Sequence, residues 1–246
     1  MISAMDYRYY SAAALIVFIL MGCDAEKNAG PGDPGPDQPL VMLKPKPQAL
    51  SDVQRLELGF PSEIISLVEA AAWAKAEPYY ETILAPSENL RGGEMIARER
   101  LAGFSVRTAK AEGLVFALSK RLRSQGYLIF RSELNYGRVP DVVTVIKGGS
   151  SYDILKVQKT EAANYRLDTK AIIAWLRARQ KDAPFVIAGA GVDWVEARFI
   201  RLPRNMPAFA REIAAFAPDV VTQGAGSVER LAAEMKRTNR FFLWWD

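Results

Sequence analysis

An α+β fold with a largely antiparallel sheet and packed helices is what this sequence predicts, and three observations carry the prediction. Apolar residues recur at helical spacing in several stretches, short runs rich in Val, Ile, Leu and Tyr lie between them, and glycine-containing turns join most of those runs, so hairpins outnumber crossovers. The chain has 246 residues, half of them apolar and 24% charged. That length supports a substantial core, and the balance is that of a globular protein.

Residues 1–22 predict export before any folded element. A short polar stretch with Arg8 leads into an apolar run from Ala12 to Met21, followed by Gly22-Cys23 and then Asp24, Glu26 and Lys27. The run is about half the ~20 residues needed to cross a bilayer, so cleavage is expected. Leu20-Met21-Gly22-Cys23 resembles the lipobox of bacterial lipoproteins. That resemblance implies acylation of the Cys23 thiol, palmitate included, removal of residues 1–22, and anchorage in the cell envelope. Asp24 after the cysteine implies the periplasmic face of the inner membrane. Cys23 is the only cysteine in the chain, so the folded part contains no disulfide.

Residues 23–50 read as the lipidated cysteine and a tether: Gly30-Pro31-Gly32-Asp33-Pro34-Gly35-Pro36 and Lys44-Pro45-Lys46-Pro47 offer little apolar surface to offset ordering entropy. A mostly helical part follows over residues 51–125. Ile64, Leu67, Val68, Ala71 and Ala72 predict a helix over residues 62–76. Ala111, Leu114, Val115, Leu118 and Leu122 predict another over 108–124, with Gly126 as its stop. Residues 79–107 show no regular period, and Arg91-Gly92-Gly93 is their clearest turn.

Residues 126–246 read as an α+β unit. Strands are predicted at Tyr127–Arg131, Asp141–Lys147 and Tyr152–Gln158, the last two joined as a hairpin by Gly148-Gly149-Ser150-Ser151. Asp168 is an N-cap for a helix through Lys181. Phe185–Ala188 and Trp194–Ile200 predict two strands, and Phe209, Ile213 and Phe216 mark a helix from about Pro207. Val228, Leu231 and Met235 mark one over 227–237, and Phe241–Trp245 closes as a strand. The order is compatible with a ferredoxin-like arrangement of the C-terminal half.

Composition excludes much chemistry. The chain has no histidine, which removes the Ser-His-Asp triad, the Cys-His pair and the His-ligated zinc. Gly189-Ala190-Gly191 leads into a strand instead of a helix and reads as a hairpin loop, not a dinucleotide fingerprint. The net charge is +4, yet the basic clusters end predicted helices and lack aromatic interleaving, so nucleic acid is not an expected partner. No cofactor is indicated and no metal-ligand set is assigned.

Carboxylates are the remaining catalytic candidates: Asp193, Glu196, Asp219 and Asp246. Two acids in different environments can divide acid and base roles, and several together can hold a divalent cation. Each has a plain structural alternative as a turn cap or an arginine partner. Asn164, Tyr165, Trp194, Gln223 and Trp244 are the candidate binding residues, since polar-aromatic loop pairs and strand tryptophans suit ligand contact.

In order along the chain, Tyr152-Asp153-Ile154-Leu155, Thr160, Asn164-Tyr165, Asp193-Trp194-Val195-Glu196-Ala197, Leu202-Pro203, Ala217-Pro218-Asp219-Val220-Val221, Gln223-Gly224 and Leu243-Trp244-Trp245-Asp246 resemble the bacterial domain-of-unknown-function family 4253. The resemblance covers residues 120–246 at least. Ala217 departs from the family's usual cysteine before Pro-Asp, which argues against a thiol mechanism in this chain. The resemblance implies a domain but no activity. The function expected is a membrane-anchored, periplasmic, non-catalytic module that binds an envelope protein or polymer, the alternative being a carboxylate-dependent, metal-assisted hydrolase.

Overall fold

The computed structural model describes residues 48–86 and 95–246. The export signal, Cys23 and nearly all of the tether lie outside the described residues, as does the Arg91-Gly92-Gly93 turn. Ser51 starts α1 (Asp52–Leu58) with a capping box, its hydroxyl accepting from the Gln54 N–H while the Gln54 side chain accepts from the Ser51 N–H. α2 (Ser62–Ala72) buries Ile64, Ile65, Val68 and Ala72, and it stops short of residue 76 because Trp73 turns left-handed.

The described parts of residues 79–107, which are 79–86 and 95–107, are strand and not irregular. β1 (Glu77–Pro86) pairs antiparallel with β2 (Met95–Thr108), so the part expected to be mostly helical contributes two strands. Charged pairs across the ribbon, such as Glu81 with Arg100, replace the apolar alternation by which a strand is recognised. α3 (Ala111–Arg123) buries the predicted Leu114, Val115, Leu118 and Leu122, and β3 (Tyr127–Glu133) and β4 (Asp141–Lys147) follow.

The strand predicted for Tyr152–Gln158 forms a helix instead, α4 (Asp153–Gln158). Asp153 decides this: its Oδ2 accepts from the N–H groups of Gly149 and Ser150, closing the glycine loop into a helix start. The hairpin predicted across Gly148–Ser151 is therefore absent. α5 (Thr169–Gln180) is capped by Asp168, which accepts from the Ala171 N–H at 2.8 Å. β5 (Phe185–Ala190) and β6 (Trp194–Phe199) form a hairpin, with the Gly191 N–H donating to the Trp194 carbonyl. After α6 (Met206–Phe216), a π-helical turn (Val220–Ala225) leads to α7 (Val228–Thr238) and β7 (Arg240–Trp244).

The seven strands make one sheet in the order β1-β2-β4-β3-β5-β6-β7, antiparallel except between β3 and β5. The α+β class is as expected. A ferredoxin-like arrangement is not formed: residues 152–246 contribute only three strands, which sit side by side as β5-β6-β7, because the stretch expected as a fourth is α4. Strand alternation divides the core. Ile129, Val143 and Val145 pack with α1, α2 and α3 on one face, and Leu128, Phe130 and Ile146 pack with α4 to α7 on the other. Among the described residues no helix is long and apolar enough to cross a membrane.

Candidate functional site

Two groups of candidate residues emerge, on opposite faces of the sheet. The first lies on the α3 side of β5, β6 and β7. Val195, Ala197, Phe241 and Leu243 point into the α4–α7 core, so their neighbours Trp194, Glu196, Arg198, Arg240 and Phe242 lie on the other face, while Trp244, at the end of β7, packs against the α4–α7 core. Register sets Trp194 opposite Trp244, Glu196 opposite Phe242 and Arg198 opposite Arg240.

Glu196 is buried at the centre of this face. Its Oε2 accepts from both Nε and Nη2 of Arg131, the Nε distance being 2.9 Å. Its Oε1 faces Arg240 Nη1 at 3.3 Å, and the same nitrogen lies 3.0 Å from Glu112 of α3. Arg131 further approaches Asp141 at 3.6 Å. Every charge in the network has an opposite neighbour, which is the condition for keeping charges out of water. Above it, a cavity of about 200 Å³ opens between α3 and the sheet, lined by Val115, Phe116, Val186, Arg198 and Ile200 with the ion pairs as its floor. The Arg198 guanidinium sits 4.2 Å from the Phe116 ring centre, a cation–π contact.

Trp194 is positioned by glycines. A Cβ on Gly191 would lie 2.1 Å from Trp194 Nε1, and one on Gly189 would lie 2.9 Å from the same ring. The Gly189-Ala190-Gly191 segment is thus a seat for the indole.

The second group gathers around Asp219, which is buried at the entry to the π-helical turn. Its Oδ2 accepts from the Tyr165 hydroxyl at 2.8 Å and from the Asp246 N–H at 3.0 Å. Its Oδ1 accepts from Gln223 Nε2 at 3.3 Å and from Thr222 Oγ1 at 3.5 Å. Asn164 donates to the Asp246 backbone carbonyl at 2.9 Å. Five candidates, Asn164, Tyr165, Asp219, Gln223 and Asp246, therefore meet although the sequence separates them by as many as 82 positions. The hydrogen bond to Asp219 holds the Tyr165 hydroxyl pKa above its usual value, with burial and the charges of Asp219 and Asp246 adding to it. Asp193 stands at the end of the β5–β6 turn, where its carbonyl accepts from the Trp245 N–H. Burial, and then the charge of Asp246, raise its carboxyl pKa against the opposing hydrogen bond from its own backbone.

The four carboxylates do not form one site. Glu196 belongs to the α3 face, whereas Asp219 and Asp246 belong to the loop cluster. The two described cavities are lined by neither Asp219 nor Asp246. No three acidic side chains among the described residues converge to hold a metal ion. Sequence reasoning missed Arg131, Arg240 and Glu112. The available signal was Arg131 in the apolar run Tyr127–Phe130, where a charged residue needs a buried partner.

No curated protein and no solved structure matches the chain. A family model does match its C-terminal part: residues 142–246, from β4 to Asp246, match the Domain of unknown function (DUF4253).

Proposed function

We propose that this chain is a lipid-anchored protein of the cell envelope, tethered through Cys23 on the periplasmic face of the inner membrane, whose folded part is a non-catalytic module that binds an envelope polymer. The observation that carries the non-catalytic reading is the commitment of the best-placed acids. Both oxygens of Glu196 face arginines, and both oxygens of Asp219 are filled by donors of the same chain. Glu196 shares its cavity with Glu112, but Arg240 lies between the two acids and bridges them, and Asp219 lines neither cavity, whereas paired-acid hydrolysis requires two acids free to face a substrate.

The binding reading rests on the α3 face. Half-buried Trp194 lies on this face with Phe242, Arg198 and Arg240. Flat rings beside fixed hydrogen-bond donors suit stacking against a sugar ring while the guanidinium groups take its hydroxyl or carboxyl oxygens. Co-sedimentation with purified cell-wall glycan tests this. The wild-type chain pellets saturably, and Trp194→Ala weakens association about tenfold, of the order of one lost aromatic contact. Equal pelleting by both proteins removes this face from the reading.

The hydrolase alternative keeps one observation in its favour, the meeting of Tyr165, Asp219 and Asp246. It requires that Asp219→Asn abolish turnover of a glycan or ester substrate while the circular dichroism spectrum is retained. Turnover by the wild-type chain that this substitution abolishes would replace the binding reading.

A further inference from the structure

Of the charges that line the cavity beneath α3, Arg198 is the one that no acid answers among the described residues. Glu196, two positions earlier on the same face of β6, is its nearest partner in sequence, but both Glu196 oxygens are engaged by Arg131 and Arg240. Register sets Arg198 directly opposite Arg240 on β7 and opposite Val186 on β5. Like charges directly opposite each other in a sheet repel. Arg240 has Glu112 and Glu196 to offset this, whereas Arg198 lies against the Phe116 ring. Three arginines and two glutamates line the cavity, and Asp141 reaches Arg131 from beyond that lining. The charge left over is that of Arg198.

A ring takes the flat face of a guanidinium and leaves its in-plane N–H groups for an acceptor. Half-buried Arg198 shares the cavity with exposed Phe116 and Ile200 and with the apolar Val115 and Val186. A fork of donors beside apolar walls suits an anion with an apolar body, and a carboxylate matches the fork with two parallel hydrogen bonds. The cavity of about 200 Å³ is smaller than the about 300–1,000 Å³ of sites for drug-sized ligands, so the group it admits is small.

We propose that this cavity binds a carboxylate borne on a short apolar side group of the envelope polymer, with the carboxylate on Arg198 and its carbon body against Phe116, Val186 and Ile200. This rests on the binding reading of the α3 face and names the group recognised there. Trp194 and Arg198 share one face of β6, four residues or about 13 Å apart, so a polymer stacked on the indole reaches the guanidinium. Arg198 then distinguishes an acidic polymer from a neutral one.

The test is co-sedimentation of the full chain with purified cell-wall glycan and with the same glycan after its carboxyl groups are capped as neutral amides. The wild-type chain binds the native glycan about tenfold more tightly than the capped one, the scale of one hydrogen-bonded charge pair. Arg198→Gln binds the two glycans alike. So does Val186→Phe, which fills the cavity and keeps the arginine, and each variant must retain the wild-type circular dichroism spectrum. Lys120→Gln removes an equal charge from the end of α3, outside the cavity lining, and keeps the preference.

The proposal and the reading beneath it fail separately. Native and capped glycan bound alike by the wild-type chain, and both weakened by Trp194→Ala, overturn the proposal and leave the reading standing. No pelleting with either glycan overturns both. Equal loss of preference in Arg198→Gln and Lys120→Gln overturns the proposal, because diffuse positive charge then explains the preference. Calorimetry with sodium benzoate distinguishes the source of the carboxylate. Benzoate binding that Arg198→Gln abolishes, without any preference between the glycans, would make the ligand a free small acid and overturn the assignment to a polymer.

Discussion

Arg131 and Glu196 meet across a strand to which neither belongs. Register runs from Arg131 on β3 through Gly189 on β5 to Glu196 on β6, so the guanidinium reaches the carboxylate over a residue with no side chain. A Cβ at Gly189 would also come within 3.0 Å of the Arg131 carbonyl. The one parallel contact in the sheet, the buried ion pair and the seat of Trp194 therefore depend on the same glycine.

Removing one member of this pair leaves the other buried without its charge partner. Glu196→Ala is expected to cost about 3–5 kcal/mol of stability, and Arg131→Met combined with Glu196→Leu distinctly less, because the double substitution buries no unpaired charge. Urea unfolding of the two variants decides it. Equal losses would mean that the pair acts only as packing.

The glycine seat predicts a local spectroscopic effect. Gly191→Ala displaces the Trp194 indole and costs about 1–3 kcal/mol, as overpacking does, with a shift in tryptophan emission. Gly149→Ala meets open space and stays within about 0.5 kcal/mol of the wild type. Emission that is the same in both variants would be inconsistent with the indole lying on Gly191.

Asp219 ties three separated segments together, so its removal should release them jointly. Asp219→Ala costs about 2 kcal/mol or more, since hydrogen bonds to a charged group are the strong kind. The Asp246 amide then exchanges faster, and the Tyr165 phenol ionises at lower pH once the hydrogen bond that raised its pKa is gone. Ultraviolet titration and amide exchange read the two effects. A Tyr165 titration that does not move would refute the coupling.

Glu69 gives the fold a dependence on acid. Burial alone would raise its carboxyl pKa, but the Ala76 N–H, then the Arg55 hydrogen bond and charge, outweigh burial and lower it from 4.5. A carboxylate with a depressed folded pKa stabilises fully above its unfolded value, and that contribution disappears as pH falls through the folded value. Stability should drop below about pH 4.5, and Glu69→Gln should flatten that slope in thermal melts at successive pH values. An unchanged slope would show that other groups carry the acid sensitivity.

Helices α2, α3, α5, α6 and α7 were legible because each carries an apolar stripe, and α5 and α7 have Asp168 and Ser227 as side-chain caps. β4, β5, β6 and β7 were legible as β-rich runs between turns. Two elements misled for opposite reasons. β1 and β2 satisfy each other with charges across the ribbon, so no apolar period marks them. In α4, three hydrogen-bonding partners of Asp153, the N–H groups of Gly149 and Ser150 and the ammonium of Lys156, fix a helix in a run whose composition suits a strand.

By itself the sequence determined the residue types available for chemistry, the absence of histidine and of any cysteine beyond Cys23, the α+β class and most element positions, because these follow from composition and from periods of a few residues. Tertiary structure alone decided that Asn164, Tyr165, Asp219, Gln223 and Asp246 share one cluster while Glu196 stands apart on the opposite face with Arg131 and Arg240. Strand order sets those meetings, and it rests on contacts between residues tens of positions apart, which no local period encodes.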